Sequence, residues 1–555
     1  MQRLSLSSRI LPYLGLLLIV GAAYYPGLFQ PARADQFVYL YTTKDKANLY
    51  SLTLGSYSWN REIGGDIHFF RPVLVFVLGL ERWAFGAENF FAWQFASLLL
   101  HVAVVLLLFR WLRGRRPGAG PLAFIAAAFF GVQYASMELV AWHHLSGYLL
   151  FSALLVAVFG TLDRCAHEPS APRQAALVLL LLLAAFTLEL GNVLALLVAG
   201  YMACAYLWRR RPLAPAAGAF HPLTVLGALA VPVVYTAANF ADQYYRYGRF
   251  LAGPTHEGCL SLPAGLAGMV SAAGLWLQAG LLPSKIDLGV GSRMSVVAVH
   301  PTFSRALLFQ GAVAATAVLA FVAVAARSVR QTGRLPVGLV ALLFAAAYTA
   351  VLVFLRAGPR GLEAGLDGNS YYAYIFNLAL LLFLATLLDR GAGAPPARLP
   401  RAALGLALAV LALVGACRVY AQGKAEARWG KPTRSLVAEI RRLRAAHGGE
   451  DGFTFAVAPD HPGEDELPFV GRDSDGRPLT VAQVLFPRHY SRARPRYLLC
   501  KPYRGFELLR YNGWVWGLSL GRDRRCLVSK TEAEVEQEID RCRAALGCSS
   551  HHGRE

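Results

Sequence analysis

The chain has 555 residues, 56% of them hydrophobic and only 16% charged, and its mean hydropathy is +0.42. Soluble domains carry about 25% charged residues, so a wholly soluble enzyme or binding module is excluded. The formal net charge of +20 would point to nucleic acid in a soluble protein. Here the arginines flank apolar runs, where membrane topology places them, so membrane lipids are the expected partners and nucleic acid is not.

The N-terminal stretch Met1–Arg9 carries Arg3 and Arg9 and leads into the apolar run Ile10–Leu28. The run is long for the apolar core of a signal peptide, so a spanning helix with a cytoplasmic N-terminus is predicted. The polar loop 30–71 then holds Asp35, Lys44, Asp45, Asp66, His68 and Arg71 among Tyr39, Tyr41, Tyr50, Tyr57 and Trp59. Aromatics beside charges suit a membrane-interface belt or a sugar-binding surface.

Pro72–Gly86 is apolar but holds Glu81 and Arg82, and it falls short of the roughly 20 residues that a straight crossing needs. Charge decides its placement. If it lies along the outer surface, Arg110, Arg113, Arg115, Arg116, Arg164, Arg173 and Arg209–Arg211 all become cytoplasmic. The turns Glu138–His144 and Glu189–Asn192, which lack Lys and Arg, then fall outside. A crossing would put every one of these loops on the wrong side. A juxtamembrane or re-entrant helix is therefore predicted.

Further spans are predicted at Phe90–Leu112, Pro121–Tyr134, Leu145–Leu162, Ala175–Thr187, Val193–Trp208 and Leu223–Phe240. Others follow at Phe303–Ala326, Pro336–Leu355, Tyr371–Leu388 and Ala402–Arg418. The same charge test disfavours a crossing by Leu262–Leu282. The total is about eleven spans, or about thirteen if both doubtful segments cross, and both counts leave the C-terminus outside. Cys204 and Cys417 fall in apolar helices and Cys165 in a predicted cytoplasmic loop. The tail cysteines Cys500, Cys526, Cys542 and Cys548 lack the paired CxxC spacing of a zinc site, and on the outer side they suit disulfides or free thiols equally.

Beyond Tyr420 the chain turns polar. Lys424–His447 patterns as a helix with Leu436, Ile440 and Leu443 on one stripe, Gly452–Ala458 and Arg496–Leu499 as strands, and Val535–Leu546 as a last helix. The expected fold is thus an α-helical polytopic membrane domain over 1–420, including the outer loop 30–71 and the juxtamembrane segment 72–86. A small extracytoplasmic α+β domain follows over 421–555. Neither a P-loop nor a GxGxxG after a strand is present.

With this topology Asp35, His68, Arg71, Glu138, His143, His144, Glu189, Tyr371, Tyr372 and Tyr374 all belong to the outer rim. Ionisable residues there are functional candidates, and a carboxylate base beside cations able to hold a phosphate is a workable site. Plainer roles compete. Asp35 suits a helix cap and Arg71 an anchor before Pro72. Glu138 and Glu189 suit ordinary turn positions, and the tyrosines suit interface anchors. His143 and His144 are adjacent, so on a helix they point apart and make a poor metal pair. His101, inside an apolar run, suits a hydrogen-bonded core position. The first loop has no DxD pair, so no metal cofactor is implied.

Several stretches resemble glycosyltransferases of the GT-C superfamily. An acidic residue follows the first apolar helix in ARADQFVYLY (32–41). FFRPVLVFVLGLERWAFG (69–86) resembles that family's juxtamembrane stretch. NFFAWQFASLLLHVAVVLLLF (89–109), MELVAWHHLSGYLLFSALL (137–155) and TLELGNVLALLVAGY (187–201) resemble its later helices and turns. The nearest branch is the mannosyltransferases that use dolichol-phosphate mannose, with their bacterial relatives.

The resemblance implies an inner-membrane enzyme that passes a sugar from a polyprenyl-phosphate donor to a glycan, lipid or protein acceptor outside the cell. It makes Asp35 the catalytic base, Arg71 a phosphate or loop-positioning residue and Glu189 a supporting acid. His68, Glu138 and Tyr371 are further substrate-binding candidates, and the tail would recognise the acceptor. Gln36 stands where relatives often have a second acid, Leu188 where they have Lys, and NSYYAYIF (369–376) lacks a preceding Arg. Two alternatives therefore stay open: a non-catalytic envelope-assembly protein, and a glycan or lipid transporter (a flippase or polymerase). A transporter calls for broken or charged mid-bilayer helices and inverted repeats, which the sequence does not display.

Overall fold

In the computed structural model the described residues are 6–32, 35–43, 70–115, 120–209, 220–247, 336–357, 371–387 and 398–446. In the tail they are 455–457, 466–472, 477–486, 490, 497–503, 506–511, 514–519 and 526–529, with single positions within 265–276 and at 323 and 537. His68, the predicted span Phe303–Ala326, most of Leu262–Leu282 and most of the helix expected at Val535–Leu546 lie outside them. Two compact units divide the chain: Met1–Gln30 with Ala47–Ala427, and Pro31–Lys46 with Arg428–Glu555.

The first unit is helical. Its elements are α1 (Leu6–Tyr24), then, with α2 assigned to Asp35–Thr42 of the second unit, α3 (Pro72–Phe85), α4 (Phe90–Arg115), α5 (Gly120–Gly131) and the short α6 (Met137–Ala141). They continue with α7 (Ser146–His167), α8 (Ala171–Thr187), α9 (Leu190–Arg209), α10 (Pro222–Tyr247), α11 (Gly338–Ala350), α12 (Tyr371–Leu387) and α13 (Arg398–Trp429). Among the described residues six helical stretches are long and apolar enough to cross a membrane: Ile10–Phe29, Phe90–Arg115, His143–His167, Leu190–Leu207, Pro222–Tyr245 and Ala402–Trp429. Gly120–Gly131, Ala171–Thr187, Gly338–Phe354 and Tyr371–Thr386 are apolar but shorter. The chain is a polytopic α-helical membrane protein. Leu406 and Leu413 on α13, and Leu223 and Val233 on α10, are each more than 65% exposed. Such side chains are stable there because lipid takes the place of a protein core.

The sequence expectation for Pro121–Tyr134 is corrected in detail. The helix stops at Gly131, and the chain turns through Tyr134–Ser136, α6 and His143–Leu145 as a buried elbow before α7 begins. Cys165 is not in a loop. Helix α7 runs on to His167 and buries it, with Asp163 ion-paired to Arg115 at 3.1 Å. Arg115 also lies over the Trp111 ring, 4.8 Å from its centroid. The helix expected at Lys424–His447 is two helices. The first, α13, continues past Arg418 to Trp429, and α14 (Lys431–Ala446) starts after Gly430.

His101 links α4 to the elbow and to α12. Its Nε2–H donates to the Gly131 carbonyl at 2.8 Å, so Nδ1 accepts from the Tyr374 hydroxyl at 2.9 Å. The Tyr24 ring packs edge-on against it, and the Tyr24 hydroxyl is bonded to Ser136. Every polar atom of the imidazole is satisfied, as a buried histidine requires.

The placement of α3 follows from what it touches. Arg71, just before it, meets Glu189 in the turn between α8 and α9. Leu74 packs on Gly147 so closely that a Cβ there would sit 2.8 Å from Leu74 Cδ2, at the start of α7. The Glu81 carboxylate meets His143 just before α7, and the carbonyl of Gly86 accepts from Trp93 Nε1 at 2.8 Å, at the start of α4. Gly86 closes the helix with φ 73°, a left-handed conformation that favours glycine. The starts of α4, α7 and α9 and the end of α8 share one face of the bundle. A 14-residue helix, about 21 Å long, that reaches all of them lies across the helix ends.

The second unit combines α2 (Asp35–Thr42), α14 and a small α+β assembly. A five-stranded sheet runs in the order β1 (Phe455–Val457), β4 (Tyr497–Tyr503), β5 (Phe506–Tyr511), β6 (Trp514–Ser519), β7 (Cys526–Ser529). The β1–β4 pair is parallel and the rest are antiparallel. A separate pair joins β2 (Glu466–Arg472) to β3 (Pro478–Thr480), and the short α15 (Val481–Leu485) follows. Helix α2 packs against α15 and β2, burying Phe37, Val38, Tyr39 and Leu40. The start of the first loop thus groups with the C-terminal unit, whereas the sequence assigns that whole loop to the membrane domain.

Candidate functional site

Arg71 precedes Pro72, whose ring steers the preceding residue out of helical conformation, and it adopts φ −130°, ψ 61° at the entrance to α3. Its Nε and Nη2 donate to Glu189 Oε1 and Oε2, both at 2.9 Å, giving a bidentate ion pair. The Arg71 side chain is 15% exposed and that of Glu189 39%. Beside the pair, the Tyr235 hydroxyl donates to the Phe70 carbonyl at 3.1 Å, and the rings of Phe70, Phe186 and Tyr235 pack at 5.7–5.8 Å. The pair thus borders an aromatic cluster. Two parallel bonds hold the guanidinium plane, which is what planar recognition of a phosphate requires.

Glu138 and Tyr371 also meet. Glu138 Oε2 accepts from the Tyr371 backbone N–H at 3.3 Å, a carboxylate at the N-terminus of α12, where the helix dipole favours negative charge. The Tyr371 hydroxyl donates to that of Tyr372 at 3.1 Å, and the Tyr148 ring packs 5.1 Å from Tyr371. The Tyr348 hydroxyl donates to the Tyr372 carbonyl at 3.0 Å. This end of α12 is therefore held by four tyrosines and one acid.

The two histidines of the elbow have different surroundings. His143 is fully buried, with Nε2 2.7 Å from Glu81 Oε2 and Nδ1 2.6 Å from Ser97 Oγ, and the Trp93 ring packs on it at 4.8 Å. His144 packs instead against Trp142 at 5.1 Å. Among the described residues no three His, Cys, Asp or Glu side chains gather as a metal site would need. Sequence inspection passed over Glu81 and Ser97 as site residues. Glu81 carried a signal, a charge inside an apolar segment, and Ser97 carried none. Of the remaining candidates, Asp35 is the first residue of α2 and belongs to the second unit, and His68 lies outside the described residues.

No family model and no curated protein matches the sequence. Solved structures do resemble it. ArnT from Cupriavidus metallidurans bound to undecaprenyl phosphate aligns with 14% identity over 90% of this chain and 94% of its own, at a TM-score of 0.43. The archaeal oligosaccharyltransferase AglB from Archaeoglobus fulgidus, in complex with an inhibitory peptide and a dolichol-phosphate, aligns with 11% identity over 96% of this chain and 75% of its own, at 0.41. The arabinofuranosyltransferase AftD from Mycobacteria aligns with 17% identity over 89% of this chain and 32% of its own, at 0.34.

Proposed function

We propose that this chain is a GT-C-type membrane glycosyltransferase that moves one sugar from a polyprenyl-phosphate donor to an extracytoplasmic glycan, lipid or protein acceptor. The observation that carries the proposal is the bidentate Arg71–Glu189 pair, bordered by aromatic rings at the entrance to a helix that lies across the bundle end. A polyprenyl carrier cannot leave the bilayer, so its phosphate must be met at such a rim. The carrier phosphate is itself a good leaving group, so the reaction needs no nucleotide-binding loop.

In this mechanism Asp35 takes the proton from an acceptor hydroxyl. The hydroxyl oxygen then bonds to the anomeric carbon, and the bond from that carbon to the phosphate oxygen breaks. The donor phosphodiester carries one negative charge and the departing polyprenyl phosphate gains a second, so cationic stabilisation is worth most as the bond breaks. Arg71 supplies it, and Glu189 holds the guanidinium in plane. Glu138 caps α12 and thereby sets Tyr371 and its neighbours, while His68 contributes from the first loop. The rim faces outward, because the opposite helix ends carry Arg113, Arg115, Arg164 and Arg173. The N-terminus is then cytoplasmic and the tail extracytoplasmic, in a bacterial inner membrane, with the tail recognising the acceptor. The test is transfer from a panel of labelled polyprenyl-phosphate sugars in proteoliposomes. Wild-type protein is expected to transfer one of them and Asp35→Asn to lose that transfer. Full activity in Asp35→Asn would refute the assignment of the base.

A further inference from the structure

Among the described residues, the mechanism does not use the buried cluster of Glu81, His143 and Ser97. It joins the far half of α3 to the elbow and to α4, through contacts of 2.7 Å and 2.6 Å. Glu81 is 9% exposed, and both His143 and Ser97 are completely buried. With His143 Nε2–H donating to the Glu81 carboxylate, Nδ1 is left as an acceptor for the Ser97 hydroxyl, so the three groups form one directed chain.

Burying a carboxylate is costly, and such pairs add little stability compared with apolar replacements. Specificity of arrangement is what they can contribute, and here there is a reason to need it. The α3 sequence PVLVFVLGL before Glu81 is apolar on every side. Packing alone lets such a helix rotate about its axis or slide along the bundle end with little penalty. One hydrogen-bonded charge removes that freedom, because only one register puts Glu81 on His143. Glu81 lies ten positions after Arg71, about 15 Å along the helix. The notch where Leu74 seats on Gly147 lies between the two attachments. A rotation or tilt permitted at the Glu81 end is therefore transmitted to Arg71.

We infer that Glu81, His143 and Ser97 are positioning residues that set the register of α3 and so hold Arg71 aligned with Glu189 to receive an anionic lipid phosphate. The inference rests on the proposed function for its ligand, and the experiment separates the two. Purified full-length wild type, Glu81→Leu, Glu81→Gln, His143→Gln and Ser97→Ala are compared in detergent by hydrogen exchange of the 72–85 backbone and by binding of undecaprenyl phosphate. Each comparison is repeated with Arg71→Ala added.

The expected results are faster exchange confined to 72–85 and lipid-phosphate binding weaker by about tenfold in Glu81→Leu. Glu81→Gln, which keeps one acceptor of the same length, should fall between. In the Arg71→Ala background the Glu81→Leu change in binding should shrink to less than about twofold, since residues acting through one group are not additive. That last readout distinguishes positioning from general support of the fold. Unchanged exchange over 72–85 in Glu81→Leu and His143→Gln would overturn the inference, as would a binding loss that persists undiminished without Arg71. If one variant fails to fold, the milder Glu81→Gln and Ser97→Ala decide. Wild-type protein that binds no undecaprenyl phosphate would refute Arg71 as the phosphate residue, while the exchange result would still decide whether the cluster holds α3.

Discussion

Replacing Glu189 with Gln tests the proposed mechanism at its best-defined contact. The substitution keeps the side-chain length and one carbonyl oxygen. It removes the negative charge and the second of two 2.9 Å bonds to Arg71. A hydrogen bond involving charge is worth about 1.5–3 kcal/mol, and a solvent-exposed pair only about 0.2–1 kcal/mol. With Arg71 15% and Glu189 39% exposed, this pair lies between those limits, and a loss of about 1.4 kcal/mol corresponds to about tenfold in rate. The phosphate gains its second charge only as the glycosidic bond breaks, so the loss should fall mainly on kcat rather than on the KM for donor. The assay is initial-rate transfer in proteoliposomes over a range of donor concentrations. Wild-type kcat and KM in Glu189→Gln would refute the reasoning. So would a loss of the same size in protein already carrying Arg71→Ala, because Glu189 would then act by another route.

Two further outcomes test the fold beneath the site. A Cβ at Gly415 would sit 2.5 Å from the Val132 carbonyl oxygen, a backbone atom that cannot turn aside, whereas one at Gly405 meets nothing nearer than Ile125 Cδ1 at 3.9 Å. Gly415→Ala should therefore destabilise by about 1–3 kcal/mol and lower the Tm in detergent, with Gly405→Ala unchanged; equal Tm values would contradict the packing of α13 on the elbow. For topology, a membrane-impermeant thiol reagent applied to intact cells should label Asn89→Cys, at the α3 end of the bundle, and spare Ala171→Cys, at the opposite end. The reverse pattern would turn the proposed site towards the cytoplasm and remove its access to an outward-facing donor.

The helices of the membrane unit were legible in the sequence because run length and charge are local quantities. Phe90–Leu112 lies within α4, Leu145–Leu162 lies within α7 but for its first residue, and the shortness of Pro72–Gly86 already spoke against a straight crossing. The C-terminal strands were harder. Only stretches matching β1 and β4 stood out, since the pairing of β5, β6 and β7 is set across the sheet rather than by their own residues. The turn at Glu138–His144 was legible, but its buried, short-helical form and the end of the preceding helix at Gly131 rather than Tyr134 were not. These rest on bonds between distant positions, such as Tyr24 to Ser136.

By itself the sequence determined that the chain is a membrane protein, which segments are apolar enough to enter the bilayer, and which charged residues sit at helix ends. These follow from the free energy of moving each side chain out of water, which depends on the residue and its immediate neighbours. Only the tertiary structure decided which of those charges meet. Arg71 pairs with Glu189, Glu138 with the N-terminus of α12, and Glu81 with His143, contacts spanning 118, 233 and 62 positions. It also assigned the helix that starts at Asp35 to the C-terminal unit. A charge brought out of water must find a partner, and the order in which helices pack, rather than their composition, determines which partner is within reach.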